Sequence, residues 1–516
     1  MRRGRRAAAL ALVLALALTG CGDVAPVTPT ESAPTVSATP TPTETAGTAD
    51  FVLPCYRGES FHPLTGSNRT NLNLAPLVYE GLFELDGTFT PKAVLCAAQT
   101  VSEDGLTWTF TLRPGVTFSD GAPLTPGDVV YSFQTAMGPG SPYAARLGGV
   151  KSVRAAGEDG VAITLNTLNG AFPALLDVPI VREGESGPLG TGPYALAEKG
   201  EDLFLRRNPG WWQGKALPEE EIRLYSVQAA DALIHAFDTR EISLVAADLT
   251  GTNALGFSGS YEVWDYPTSV MLYVGYNGEK GPCKDEAVRK ALSYGFDRAA
   301  VAKSLLSGHA TASALPFSPA TANYDAARAE ALAYAPQTVD ELLTAAGWTQ
   351  SNGVRTQGRE TLTLTLLVNN DNTYKLAVAE YLAADLSKAG VEVALKKLTW
   401  EDYNAALAAG DFDLYLGQVK LTGDFDLTPL LRSGGALNYG GYADPDTDLL
   451  LAEYLAAGDV TRPAAASNLC RRLGETNPIT VLCFKNWSVL THWGKITGVE
   501  ATQQNVFSNF SEWKTH

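Results

Sequence analysis

The sequence predicts an α/β protein, and three stretches carry that prediction. Thr361 to Leu367 alternates apolar and polar residues, the period of a half-buried strand. Tyr374, Ala377, Val378, Tyr381, Leu382 and Leu386 then fall on one helix face, Gly390 stops the helix, and Val391 to Leu398 forms the next strand. A strand-helix-strand unit of this kind is the building block of a parallel sheet. In the second stretch, Trp108, Phe110 and Leu112 alternate with Thr107, Thr109 and Thr111, and Thr125-Pro126 has the form of a helix cap followed by Pro at the first helical position. The third, Tyr194 to Ala197 with Leu203 to Arg206, reads as a hairpin closed by Asn208-Pro209.

In chain order, Leu77 to Leu85 leads into an Asp86-Gly87 turn, and Pro91 opens a short element. Pro114-Gly115 breaks the threonine-rich strand, Val116 to Phe118 is expected to resume it, and Ser119-Asp120-Gly121 turns it again. Ala162 to Leu168 reads as a further strand. Val288, Ala291, Leu292 and Phe296 recur at spacings of three and four, with Asp285 and Glu286 placed favourably at the helix start. Arg289 and Arg298 on this segment are expected to be solvated or paired with carboxylates. Trp400 to Ala409 and Leu449 to Ala457 read as helices, and Asp413 to Val419 as a strand. The alternation favours an α/β domain over a sandwich.

A chain of 516 residues is long enough for two or three domains. Its formal charge of −17 argues against nucleic acid as a partner, because phosphate binding needs clustered Lys and Arg. The five histidines lack metal-ligand spacing, so no metal or other cofactor is expected. Gly190-Thr191-Gly192 lacks the Lys-Ser/Thr of a phosphate loop, and Gly256 to Gly259 is no nucleophile elbow. An enzyme is therefore not expected.

Arg2, Arg3, Arg5 and Arg6 precede a short apolar core, Ala7 to Leu18, below the roughly 20 residues a membrane span needs. Leu18-Thr19-Gly20-Cys21 resembles a bacterial lipobox, which makes 1–21 a lipoprotein signal and Cys21 the lipidated residue; an uncleaved anchor or an ordinary signal peptide is the other reading. Residues 22–50 are rich in Pro, Thr and Ser, which suits a disordered tether rather than a core. Cys55, Cys96, Cys283, Cys470 and Cys483 then follow. Export makes pairs such as Cys470 with Cys483 or Cys55 with Cys96 plausible, and buried free thiols equally so.

Three segments share a more specific spelling: LTWTFTLRPGVTFSDGAPLTPGDVVYSF at 106–133, PLGTGPYALAEKGEDLFLRRNPGWW at 188–212, and LYVGYNGEKGPCKDEAVRKALSYGFDR at 272–298. Together they resemble the family 5 extracellular solute-binding proteins of ABC importers, the peptide- and nickel-type receptors, over about Phe51 to Trp513. The resemblance implies a bilobal clamp of the periplasmic-binding-protein type II class with an additional small domain. It implies a first lobe of 51–78, 188–275 and 490–516, an inserted small domain of 79–187, and a second lobe of 276–489. It further implies peptides as the ligand class, with metal chelates such as nickel, sugars or opine-like solutes as alternatives. The expected partners are ABC permease and ATPase subunits, the protein being a monomer tied to the outside of the cell membrane by its lipid; presentation of a ligand to a sensor is the competing role.

Ligand contacts are expected on loops that follow strands. Ser67 to Asn71 offers Arg69 and Asn71, with Arg69 either facing a ligand carboxylate bidentately or pairing on the surface. Lys420 to Asp426 offers Lys420, Thr422, Asp424 and Asp426. In many peptide receptors of the resembled family an aspartate here meets the peptide amine beside a tryptophan. This chain departs from that pattern, with Gln418 and Leu421 at those positions and Asp424 and Asp426 a few residues later. Asn438, Tyr439 and Tyr442 complete the candidate set, each tyrosine being otherwise a half-buried core residue.

Overall fold

A computed structural model describes residues 50–516, apart from 185 and 186. Cys21 and residues 22–49 of the expected tether lie outside the described residues. Three sheets organise the chain. The first runs in the order Val52–Cys55, Glu221–Ser226, Asp202–Arg207, Tyr194–Lys199, its first pair parallel and the others antiparallel. The expected hairpin at 194–206 is two of these strands.

A small antiparallel sheet follows the order Cys96–Val101, Thr107–Leu112, Gly160–Leu165, Val150–Ala155. Along Thr107–Leu112 the threonines are half-buried while Trp108, Phe110 and Leu112 are buried, as the alternation requires. The helix Pro126–Ala136 starts with a reciprocal cap: Asp128 N donates to Thr125 Oγ1, and Thr125 N donates to the Asp128 carboxylate at 2.8 Å. Val116 to Phe118 does not resume a strand. It makes a single bridge, Thr117 with Pro123, because the Ser119–Gly121 turn folds the chain straight back.

The large sheet is ordered Leu244–Ala247, Ile479–Thr491, Glu262–Tyr276, Leu414–Lys420, Thr363–Asn369, Glu392–Leu398. Its last three strands are mutually parallel, as the strand-helix-strand unit predicts, and the helix Thr373–Lys388 links two of them. Two long strands, Glu262–Tyr276 and Ile479–Thr491, lie antiparallel along most of their length. Residues 244–247 flank one end of the pair and 414–420 the other, so the two strands run from one half of the molecule into the other. Their register shifts between Pro267 and Met271, near the crossing point, where Pro267 has no N–H to give the ladder. Farther along, Tyr273 faces Gly417 and Gly275 faces Tyr415. A Cβ on either glycine would lie within 2.5 Å of the opposite ring, so each glycine makes room for its neighbour's tyrosine.

Arg289 and Arg298 are neither solvated nor held mainly by carboxylates. Both are buried and donate to backbone carbonyls: Arg289 to those of Cys283, Lys284, Thr476 and Asn477, and Arg298 to those of Ser293, Leu332 and Val481. A guanidinium's five donors can satisfy several helix-end carbonyls at once, which offsets the cost of burying it. Arg289 keeps one contact with a carboxylate, Glu286 at 3.7 Å. All five described cysteines are buried and free, so neither expected pair forms, and burial pushes the Cys55 thiol up to about 11. No helix among the described residues is long and apolar enough to cross a membrane.

Candidate functional site

A cavity of about 820 Å³ lies where the helix Arg69–Val78, the small sheet's flanking segments, the end of Leu414–Lys420 and the C-terminal segment around Gln503 to Ser511 converge. That is within the roughly 300–1,000 Å³ of small-ligand sites. Five of the nine expected contacts line it: Arg69, Lys420, Thr422, Asp424 and Asp426. Each stands at or just after the end of a regular element, where side chains point away from the ladder or helix.

One corner of the cavity is cationic. Asn68 caps the helix Arg69–Val78, which fixes Arg69 as its first residue and sets its guanidinium 4.4 Å from the centre of the Trp487 ring. Lys420 Nζ lies over the same ring at 5.2 Å. Arg146 lies over Tyr143 at 4.6 Å and pairs with Asp177 at 2.8 Å. Cation–π contact favours both residues on the indole, yet it places like charges near one another. Lys420 keeps part of its side chain in contact with solvent, yet desolvation by the surrounding cavity walls, then the nearby Arg69 and Arg146, push it down to about 8. Burial likewise lowers Arg69.

A second corner is acidic. The Asp424 carboxylate accepts from Asn169 Nδ2 at 2.7 Å and from Thr422 Oγ1 at 2.5 Å, while its backbone carbonyl accepts from Tyr454 and Arg462. The carboxylate has further lone pairs available to a ligand donor. Asp426 accepts from Thr428 N, and burial raises it above the usual carboxylate range. Glu80 also lines the cavity, but its carboxylate is taken up by four donors: Thr191 at 2.8 Å, Trp211 at 3.1 Å, Trp212 at 2.7 Å and Gln213 at 2.8 Å. Glu84 accepts from Asn505 at 2.7 Å.

The other four expected contacts do not line the cavity. Asn71 is buried, and its amide exchanges hydrogen bonds with both backbone groups of Tyr56. The Asn438 amide braces the turn to Tyr442, donating to the carbonyls of Arg432 and Tyr442. The Tyr442 hydroxyl lies among Asp444, Thr447 and Thr476, and Tyr439 packs edge-on against Tyr415 at 6.1 Å. Local polarity is thus spent on holding loops, the ordinary fate of Asn and Tyr at turns. Gln418 is exposed within its strand, opposite Leu272, and Leu421 is buried against the cavity wall. Arg146, Asp177, Asn169 and Trp487 escaped the sequence reading. They come from irregular segments and a distant strand, and only the tertiary fold groups them.

Residues 90–434 match the profile of the bacterial extracellular solute-binding proteins, family 5, middle region. The chain belongs to this family. It is 32% identical over 400 residues to Protein XP55 of Streptomyces lividans, covering 72% of each chain. It is 24% identical over 472 residues to the oligopeptide-binding protein AppA of Bacillus subtilis, covering 83% of this chain and 84% of AppA. Among solved structures, the unliganded open form of the murein tripeptide-binding protein MppA superposes with a TM-score of 0.75 at 21% identity, over 90% of this chain and 97% of that one. The fold is therefore the mixed α/β bilobal fold of this family, and the protein is an extracytoplasmic substrate-binding component of an ABC importer rather than an enzyme.

Proposed function

We propose that the protein captures short peptides in the cavity and delivers them to a membrane permease. The observation that carries this reading is the pairing of a cationic corner, Arg69, Lys420 and Arg146, with Asp424 in one cavity. A peptide zwitterion offers a carboxylate to the first and an ammonium to the second. Charge-assisted bonds would fix its orientation, and desolvation of the side chains would supply much of the affinity. The lobes would bend about the crossing strands where their register shifts. The protein would work as a monomer, held by the acylated Cys21 and reaching the permease on the 22–50 tether.

The test is native mass spectrometry of protein from its own host, together with melting-temperature shifts by a peptide pool. Peptide adducts and upward shifts are expected; the absence of both would sink the reading, and a co-purifying metal chelate or sugar would replace it. Asp424→Ala is expected to weaken binding of an amine-bearing peptide by about 2 kcal/mol through loss of a desolvated ion pair. Unchanged affinity in calorimetry would remove Asp424 from the site. Cys21→Ala is expected to release the protein from the membrane fraction, and retention on fractionation would refute lipidation at that residue.

A further inference from the structure

The cationic corner holds more positive charge than a simple peptide carboxylate can balance. Arg69, Arg146 and Lys420 face the cavity there, and the carboxylate paired with them is Asp177, engaged with Arg146. Asp248, the other carboxylate near Arg69, is bound to Lys485 at 2.7 Å. The two cations on Trp487 also arrive from different parts of the fold. Arg69 is carried by a helix packed on the first sheet, and Lys420 ends a strand of the large sheet. Trp487 stands on a crossing strand with its ring buried, and both cations lie within cation–π distance of that one indole. Two like charges converging from two lobes repel, and that repulsion opposes their approach unless an anion enters between them.

We propose that the corner selects peptides whose C-terminal residue is itself acidic, two carboxylates being held by Arg69, Lys420 and Arg146. This rests on the peptide reading above. A single carboxylate engages one guanidinium and leaves the Lys420–Arg69 repulsion largely in place. A second carboxylate on the same residue reaches the other cation. The ligand then screens the repulsion and draws the two lobes together, so the charge that confers selectivity also promotes closure. An amide in place of the side-chain carboxylate has nearly the same shape and lacks only the charge.

The experiment is calorimetry on the purified full-length protein with Ala-Ala-Asp against Ala-Ala-Asn, and Ala-Ala-Glu against Ala-Ala-Gln. At pH 7 the acidic member of each pair is expected to bind about tenfold more tightly, the yield of one partly desolvated charge pair. Lys420→Met is expected to shrink that ratio to about threefold or less, and Lys420→Arg, which keeps the charge, to preserve it. The groups facing Lys420 are Arg69, Arg146 and Asp177. With Lys420 pushed down to about 8, the wild-type ratio should fall between pH 7 and 9.5, while in Lys420→Arg it should not. Equal affinities within both pairs, or a ratio unmoved by Lys420→Met, would overturn the proposal while leaving peptide capture intact. Binding of none of the four peptides, alongside no shift from the peptide pool, would instead defeat the peptide reading itself.

Discussion

Replacing Glu80 by alanine is expected to lower the unfolding free energy by about 3–5 kcal/mol, the range for removing the acceptor from a buried, multiply bonded site. Glu80 is 9% exposed, and its four side-chain donors are all neutral. Burial pushes its carboxyl up, and the four hydrogen bonds pull it back, so the ring of donors is what makes a carboxylate tolerable there. Alanine would leave two indole N–H groups, a hydroxyl and an amide without an acceptor. Glu80→Gln keeps one carbonyl oxygen but turns an NH₂ toward the remaining donors, so a smaller loss is expected. Urea unfolding with an unchanged slope would measure both. A loss under about 1 kcal/mol for alanine would mean that water enters and replaces the carboxylate.

Arg289→Ala is expected to cost about 3 kcal/mol, since it strips several backbone carbonyls of their donor in a buried place. The carbonyls of Thr476 and Asn477 close the helix Arg462–Thr476, whose cap, Asn477, sits at φ 46°, and those of Cys283 and Lys284 precede the helix Glu286–Ser293. One side chain thus ties the end of one helix to the start of another. Lysine is expected to recover little, because three donors on one nitrogen cannot reproduce a planar fork. Arg289 does not line the cavity, so ligand affinity should survive in the folded fraction. Equal stability of wild type and Arg289→Ala in thermal and urea melts would show that these carbonyls are content without it.

Elements whose signals are local were legible in the sequence. Trp400–Ala409 is a helix with the expected ends because Thr399 caps it and Gly410 takes the left-handed φ of 66°. The strand Glu262–Tyr276 was not legible as a strand. Pro267 interrupts its pattern, and from Ser269 to Tyr276 it is buried on both faces, which erases the alternation. Arg289 and Arg298 misled for a related reason: a charged residue on a helix predicts solvent unless carbonyls from elsewhere are known to surround it. The site divided in the same way. Arg69 and the Lys420–Asp426 loop follow from element ends, whereas Arg146, Asp177 and Trp487 meet them only through long-range packing. Asn71 serves, from within a helix, to brace the segment at 56–60, and Asn438 and Tyr442 serve to hold their own turn.

The two crossing strands bear on how the chain comes to be folded at all. Ile479–Thr491 sits in the interior of the large sheet, between Leu244–Ala247 and Glu262–Tyr276, yet it is the last long strand in the chain. Until it arrives, Glu262–Tyr276 has an unpaired edge along its whole length, and neither half of the molecule can complete its sheet. A nascent chain emerging in order therefore stays open until nearly all of it has been made, with closing contacts hundreds of residues apart, the topology of a slow folder. For a protein destined for the far side of a membrane, such lateness keeps the polypeptide threadable until it has crossed.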